Sequence, residues 1–178
     1  MQQFETGIDR AEQALHSGVP GCCNVETRLK KVESGEVDAT LLASAGLKRL
    51  EIDAGTAIPT EILLPAPGQA VIGMECRTND TRTQSVLSTV SNGITFNCVS
   101  AERAFSRTLG GTCHSPVAAF CAFEDGDLRL RAQLFSEDGA DMVEGRAVLD
   151  CGDNSPAAEL ARSLLAEAPE SIRRLFGP

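Results

Sequence analysis

The sequence has no tryptophan and no tyrosine, and phenylalanine alone supplies its seven FWY-type rings. A basic groove lined with aromatic platforms for single-stranded nucleic acid is therefore not expected. Positive charge is also scarce: 16 Lys and Arg against 25 Asp and Glu leave a net charge of -9, which repels polyanions. There are two histidines, His16 and His114, and the seven cysteines do not form paired CxxC sets, so no zinc site is expected. An odd number of thiols, with Cys22 next to Cys23, reads as free cysteine in a reducing cytoplasm. No apolar run approaches the roughly 20 residues that a membrane span needs. The amino terminus is acidic and lacks the apolar core of a secretory signal.

What is present is an ordinary globular balance, 42% apolar and 23% charged, implying a core of Leu, Val, Ile and Ala. The basic residues cluster at Arg28, Lys30, Lys31, Lys48 and Arg49. Such a cluster in an acidic chain suits small anionic ligands, and it equally suits a solvated helix face.

Along the chain, residues 8–16 have a short helical pattern that ends at Ser17-Gly18-Val19-Pro20. Residues 26–33 form a charged helix candidate with Leu29 and Val32 on one face, and Gly35 punctuates it. Residues 39–43 and 70–76 are apolar runs suited to buried strands, with a short helix carrying Lys48 and Arg49 between them. Strands alternating with helices predict an α/β region over 1–95.

From about residue 96 the pattern changes. Asn97 is a candidate cap for a helix running to Leu109, with Cys98, Ala101, Phe105 and Leu109 along its buried stripe. Strict alternation over Leu128, Leu130, Ala132 and Leu134 predicts a half-exposed strand, flanked by Asp125-Gly126 and Asp138-Gly139 turns. Antiparallel strands are expected over 117–123, 127–135 and 142–149. Ser155 as cap, Pro156 in the first turn and an apolar face from Ala157 to Ala168 predict a final helix. Residues 96–178 thus read as a small α+β domain with a three-stranded antiparallel sheet and helices on one face.

Cys113 lies in Gly110-Gly111-Thr112-Cys113-His114-Ser115-Pro116, between a helix end and a strand start. A thiol displayed there can act as a nucleophile; it can also be a small residue filling a tight loop. His114 is adjacent in sequence, and neighbours on an extended chain point to opposite sides, which argues against direct pairing. Cys76, Cys98, Cys121 and Cys151 sit in apolar patterns and read as core residues.

Several ordered segments resemble the hydroxymethylbilane synthase (porphobilinogen deaminase) family. Asn24-Val25-Glu26-Thr27-Arg28-Leu29 is similar to its R-G-N-V-x-T-R-L segment, and the stretch from Asp38 to Leu50 to its D-A-x-x-L-A-x-A-G-L-K-R-L. Leu64-Pro65-Ala66-Pro67-Gly68-Gln69, then Gly73-Met74-Glu75-Cys76-Arg77, resemble L-P-A-x-G-Q-G and G-x-E-C-R. Glu102-Arg103-Ala104 and the Gly-Gly-Thr-Cys loop follow in the same order.

The resemblance implies an enzyme that joins four porphobilinogen molecules into hydroxymethylbilane, releasing ammonia, in tetrapyrrole biosynthesis. It implies a dipyrromethane cofactor in thioether linkage to Cys113, with Arg28 and Arg49 holding carboxylates of cofactor and substrate. A guanidinium fork suits that task because it grips a carboxylate bidentately. Gln69, in a hinge-like loop, and Thr27 would also bind substrate. The fold implied for 1–95 is a partial periplasmic-binding-protein-like α/β region, including a strand that returns to a first domain. A cytoplasmic monomer, when complete, is implied, with no nucleic-acid, membrane or metal partner.

Three departures qualify the resemblance. By resemblance, this sequence is expected to lack most of the family's amino-terminal domain, and with it the aspartate of H-S-x-K-D-x-P, which His16-Ser17-Gly18-Val19-Pro20 echoes without the Lys or Asp. No catalytic residue is therefore assigned. Cys22-Cys23 stands where the family has Arg-Gly, which suggests a truncated or frame-disrupted product, and Ala70 replaces a glycine. The expected consequences are an empty Cys113 when the chain is expressed alone and impaired turnover. The alternative function is a non-catalytic fragment binding tetrapyrrole precursors or a complementary chain; an unrelated thiol enzyme using Cys113 and His114 leaves the other segments unexplained.

Overall fold

Three segments between residues 117 and 149, the second of them strictly alternating, build the sheet, and the helices on either side of them in sequence supply the cover. The structure is a computed structural model that describes residues 24–69, 71–112 and 114–176. It divides into two compact units, 1–57 and 58–178. The expected helix over 8–16 lies outside the described residues.

In the first unit, α1 spans Val25–Glu33. Asn24 caps it from an extended conformation, and Lys30 and Lys31 in the last turn complement the helix dipole. The chain leaves the helix at Ser34 and at Gly35, where φ is 71° and a residue without a β-carbon is favoured. A short helix, α2, spans Ser44–Arg49 and carries the basic pair Lys48 and Arg49 in its last turn. Neither helix has a fully buried residue.

The expected strand over 39–43 is not formed: these residues are half-buried coil leading into α2. The expected strand over 70–76 is likewise coil across its described residues, with Ile72 90% exposed. Both runs have apolar composition, but a strand also needs a hydrogen-bonding neighbour. Among the described residues the sole sheet is the three-stranded one of the second unit, which includes neither run.

The second unit opens with loops and then α3, Thr81–Val90, capped by Asp80. The next helix, α4, spans Gly93–Thr108. It starts four residues ahead of the expected cap Asn97; Asn92 caps it instead, its side chain accepting the Thr95 N–H at 2.9 Å. The anticipated stripe is otherwise intact: Cys98, Ala101, Phe105 and Leu109 are all buried.

Strands β1 (Val117–Glu124), β2 (Asp127–Phe135) and β3 (Met142–Leu149) form an antiparallel sheet in sequence order. The β1–β2 turn places Asp125 and Gly126 at φ 54° and 94°, the left-handed pair that suits a tight hairpin. Leu128, Leu130, Ala132 and Leu134 face the core, as their alternation requires. The sheet is followed by α5, Ser155–Glu167, and the single turn α6, Glu170–Arg173. At the start of α5, Asn154 occupies the cap position without a side-chain bond, and the Ser155 N–H donates to Asp153 Oδ1 at 2.9 Å. Ser155, expected as the cap, is thus the first helical residue.

Helices α4 and α5 pack against each other and on one face of the sheet, burying Phe105, Leu130, Ala161, Leu164 and, beyond α6, Phe176 in one core. On the other face Arg131 lies over the Phe120 ring, 5.9 Å from its centroid. Its guanidinium donates to Thr60 Oγ1 at 3.2 Å, tying the 58–64 segment to the sheet. The whole is a mixed α/β structure with a three-stranded antiparallel sheet and helices.

Candidate functional site

In the first unit the site residues belong to α1, α2 and their flanks. The Asn24 side chain accepts both the Thr27 N–H, at 2.9 Å, and the Thr27 hydroxyl, at 2.8 Å. Thr27 is therefore part of the helix cap, and its hydroxyl proton is already committed. Arg28, half-buried, donates from Nη1 to the Leu41 carbonyl at 3.3 Å, linking α1 to the segment that enters α2. Arg49 is exposed at the end of α2 and has no hydrogen bond or ion pair among the described residues. Of the nearby lysines, Lys31 pairs with Glu36 at 2.6 Å.

In the second unit, Cys113 itself lies outside the described residues. Its flanks are ordered by local bonds. Gly110 adopts φ 67° directly after α4, the backbone state that lets the helix stop there. The Thr112 N–H donates to Ser115 Oγ at 2.9 Å, and the His114 N–H donates to Thr112 Oγ1 at 3.2 Å. A β-carbon at Gly111 would come 3.4 Å from Ser115 Oγ, so the chain folds back closely here. His114 is exposed.

Gln69 is exposed in the 65–69 turn, where Gly68 takes φ 76°. The turn is held to the sheet by Glu102, which sequence reading quoted as part of a motif without giving it a role. Glu102 is buried, at 5% exposure, and its carboxylate accepts Gly68 N–H at 2.7 Å and Cys121 N–H at 2.9 Å. Burial pushes its pKa up, and the two N–H donors pull it partly back. A signal was present in the sequence: Glu102 follows Cys98 by one helical turn and so falls on the buried stripe.

Cys98 and Cys121 are buried free thiols, as their patterns indicated, and burial raises the pKa of both. Cys76 and Cys151 are exposed, against the expectation that they fill the core. Both lie in coil or turn at the end of an apolar run, where the run's pattern no longer fixes which way a side chain faces. Among the described residues no cluster of three or more His, Cys, Asp or Glu could hold a metal ion. No helix among them is long and apolar enough to cross a membrane.

Two family models match the chain in succession. Residues 13–85 match the porphobilinogen deaminase, dipyromethane cofactor binding domain, and residues 96–168 the porphobilinogen deaminase, C-terminal domain. The first match begins upstream of Asn24 and runs through Cys22-Cys23. A porphobilinogen deaminase of Sphingopyxis alaskensis is 52% identical over 155 residues, covering 86% of this chain and 49% of that protein. One of Thiobacillus denitrificans is 39% identical over 152 residues, covering 84% of this chain and 50% of that protein. The chain thus spans about half the length of the curated relatives it matches.

A cofactor-binding domain followed by a small α+β domain is the class these matches and the observed sheet define. The chain belongs to the porphobilinogen deaminase family.

Proposed function

We propose that the chain represents the carboxy-terminal portion of a hydroxymethylbilane synthase, the transferase that polymerises porphobilinogen with loss of ammonia. The observation that carries this reading is the pair of family matches in chain order, 13–85 and 96–168. In this reading Cys113 holds dipyrromethane through its sulfur, and the bound group supplies the primer on which pyrroles are added. Arg49 fits a carboxylate ligand, because it is exposed and carries no bond among the described residues that a ligand would have to displace. Arg28 fits by its charge and its half-buried place on α1, with Nη1 already engaged by Leu41 O at 3.3 Å. Gln69, exposed on a fixed turn, fits a substrate contact. Thr27 fits least well, since its hydroxyl already donates to Asn24.

The finer architecture belongs to the same proposal. Residues 1–95 would correspond to part of a periplasmic-binding-protein-like α/β region and residues 96–178 to the cofactor-bearing domain. A cytoplasmic monomer acting on a small dicarboxylate belongs to the same reading, and the net charge of -9 argues against a nucleic-acid partner. A second reading is a non-catalytic chain that binds tetrapyrrole precursors or a complementary chain. Porphobilinogen consumption by the purified chain separates the two. Turnover, with the pink colour of bound dipyrromethane in Ehrlich's reagent, supports the enzyme; binding without turnover supports the second reading.

A further inference from the structure

Helix α4 carries one ionisable carboxylate on its buried stripe, and that group reaches out of the helix on both sides. A carboxylate removed from water needs donors aimed at it. Glu102 has two, from parts of the chain distant in sequence: Cys121 N–H at Oε1, 2.9 Å, and Gly68 N–H at Oε2, 2.7 Å. The first of these lies on the outer edge of β1. On that same edge the Ala119 N–H donates to the Pro65 carbonyl at 3.0 Å. The 65–69 segment therefore occupies part of the free edge of the sheet, fastened at Pro65 by the strand and at Gly68 by the Glu102 side chain. The Gln69 N–H closes the turn on the Ala66 carbonyl at 3.3 Å. The Gln69 side chain is left exposed, with no hydrogen-bond partner among the described residues.

We infer that Glu102 is a positioning residue, whose two carboxylate oxygens lock the Gly68 turn to β1 and so fix where Gln69 meets substrate. The inference rests on the proposed role of Gln69 and adds the residue that sets its geometry. Two converging N–H donors explain why a carboxylate stands here. Glutamine, of the same shape, offers one acceptor oxygen and turns an N–H₂ toward the other donor. A purely apolar residue would leave two backbone N–H groups buried without partners.

The test uses the intact chain and porphobilinogen as probe, with amide hydrogen exchange read at Gly68 and Cys121 and binding read by calorimetry. In the wild type the Gly68 amide should be protected although it lies in a loop. A freely exchanging Gly68 overturns the inference without any variant, so it stays testable if a variant fails to fold. In Glu102→Gln, Gly68 exchange should rise about 10-fold or more, as expected for loss of a charge-assisted bond. Porphobilinogen affinity should fall to about that of Gln69→Ala, and the double variant should be no weaker than either. If Gly68 is freed while affinity holds in Glu102→Gln but falls in Gln69→Ala, Gln69 keeps its role and Glu102 loses this one. If Gly68 is protected but Gln69→Ala leaves affinity unchanged, the reading of Gln69 fails and the inference falls with it.

Discussion

Gly145 on β3 lies so close to Leu160 on α5 that a β-carbon added to the glycine would stand 2.7 Å from the Leu160 Cδ1 methyl. The same atom would come 3.1 Å from Leu164 Cδ2. The register explains the space: Ala119 pairs with Ala132 and Ala132 with Gly145, a row of small residues across the sheet. The helix settles onto that row with Ala157 and Ala161 buried. Gly145→Val should therefore lower stability by about 1–3 kcal/mol, the usual cost of overpacking. Urea denaturation of the two proteins gives the difference directly.

Phe105, on α4, is the largest fully buried side chain of the core among the described residues. Phe105→Ala should cost about 3–5 kcal/mol through lost transfer energy and the cavity left behind. Because small domains are stable by only about 5–15 kcal/mol, the second unit should lose most of its thermal transition.

The carboxylates predict opposing pH dependences. Burial raises the folded-state pKa of Glu102, so the folded form binds the proton more tightly than the unfolded one. Its contribution to stability should decline as pH rises from the ordinary glutamate value through the raised one. Asp80 and Asp153 are lowered by N–H donors from Thr83 and Ser155, so their contribution is present above the ordinary aspartate value and lost as pH falls through the lowered ones. Urea midpoints between about pH 3 and about pH 7 should separate the two. Glu102→Gln should abolish the decline in the upper part of that range and leave the acid loss intact.

Thiol accessibility gives an independent check on the fold. Under native conditions iodoacetamide should label Cys76 and Cys151 and spare Cys98 and Cys121, which are buried with raised pKa values. Peptide mapping before and after denaturation reads each site. Rapid native labelling of Cys121 would contradict the position of β1 in the core.

The parts of the fold legible in sequence were those whose pattern reports one buried face. The alternation of Leu128 to Leu134 and the two Asp-Gly turns defined the sheet to within a residue. The stripe from Cys98 to Leu109 and the Ala and Leu face of α5 defined its cover. Segments whose outcome depends on a neighbour were misread, as with the apolar runs at 39–43 and 70–76. Helix α3 was missed because Thr81–Val90 is rich in Ser, Thr and Val, weak helix formers; the Asp80 cap was the better signal. Among the site residues, composition and spacing flagged the basic cluster and the thiol of Cys113 in its glycine-rich loop, and the resemblance gave the roles expected of them. The role of Glu102 needed the long-range bonds to Gly68 and Cys121, which no local pattern encodes.

The central claim is that Cys113 is the attachment point of a dipyrromethane in this family member. The most direct measurement is the intact mass of the purified chain before and after incubation with preuroporphyrinogen, followed by peptide mapping and repeated on Cys113→Ser. The account predicts an unmodified chain as isolated, then a covalent gain on the Cys113 peptide that is absent from Cys113→Ser: the four-pyrrole chain when the thiol displaces water from the hydroxymethyl carbon of preuroporphyrinogen, or two pyrrole units where the outer part is subsequently cleaved off. An unchanged mass after incubation, or a gain that survives in Cys113→Ser, would contradict it.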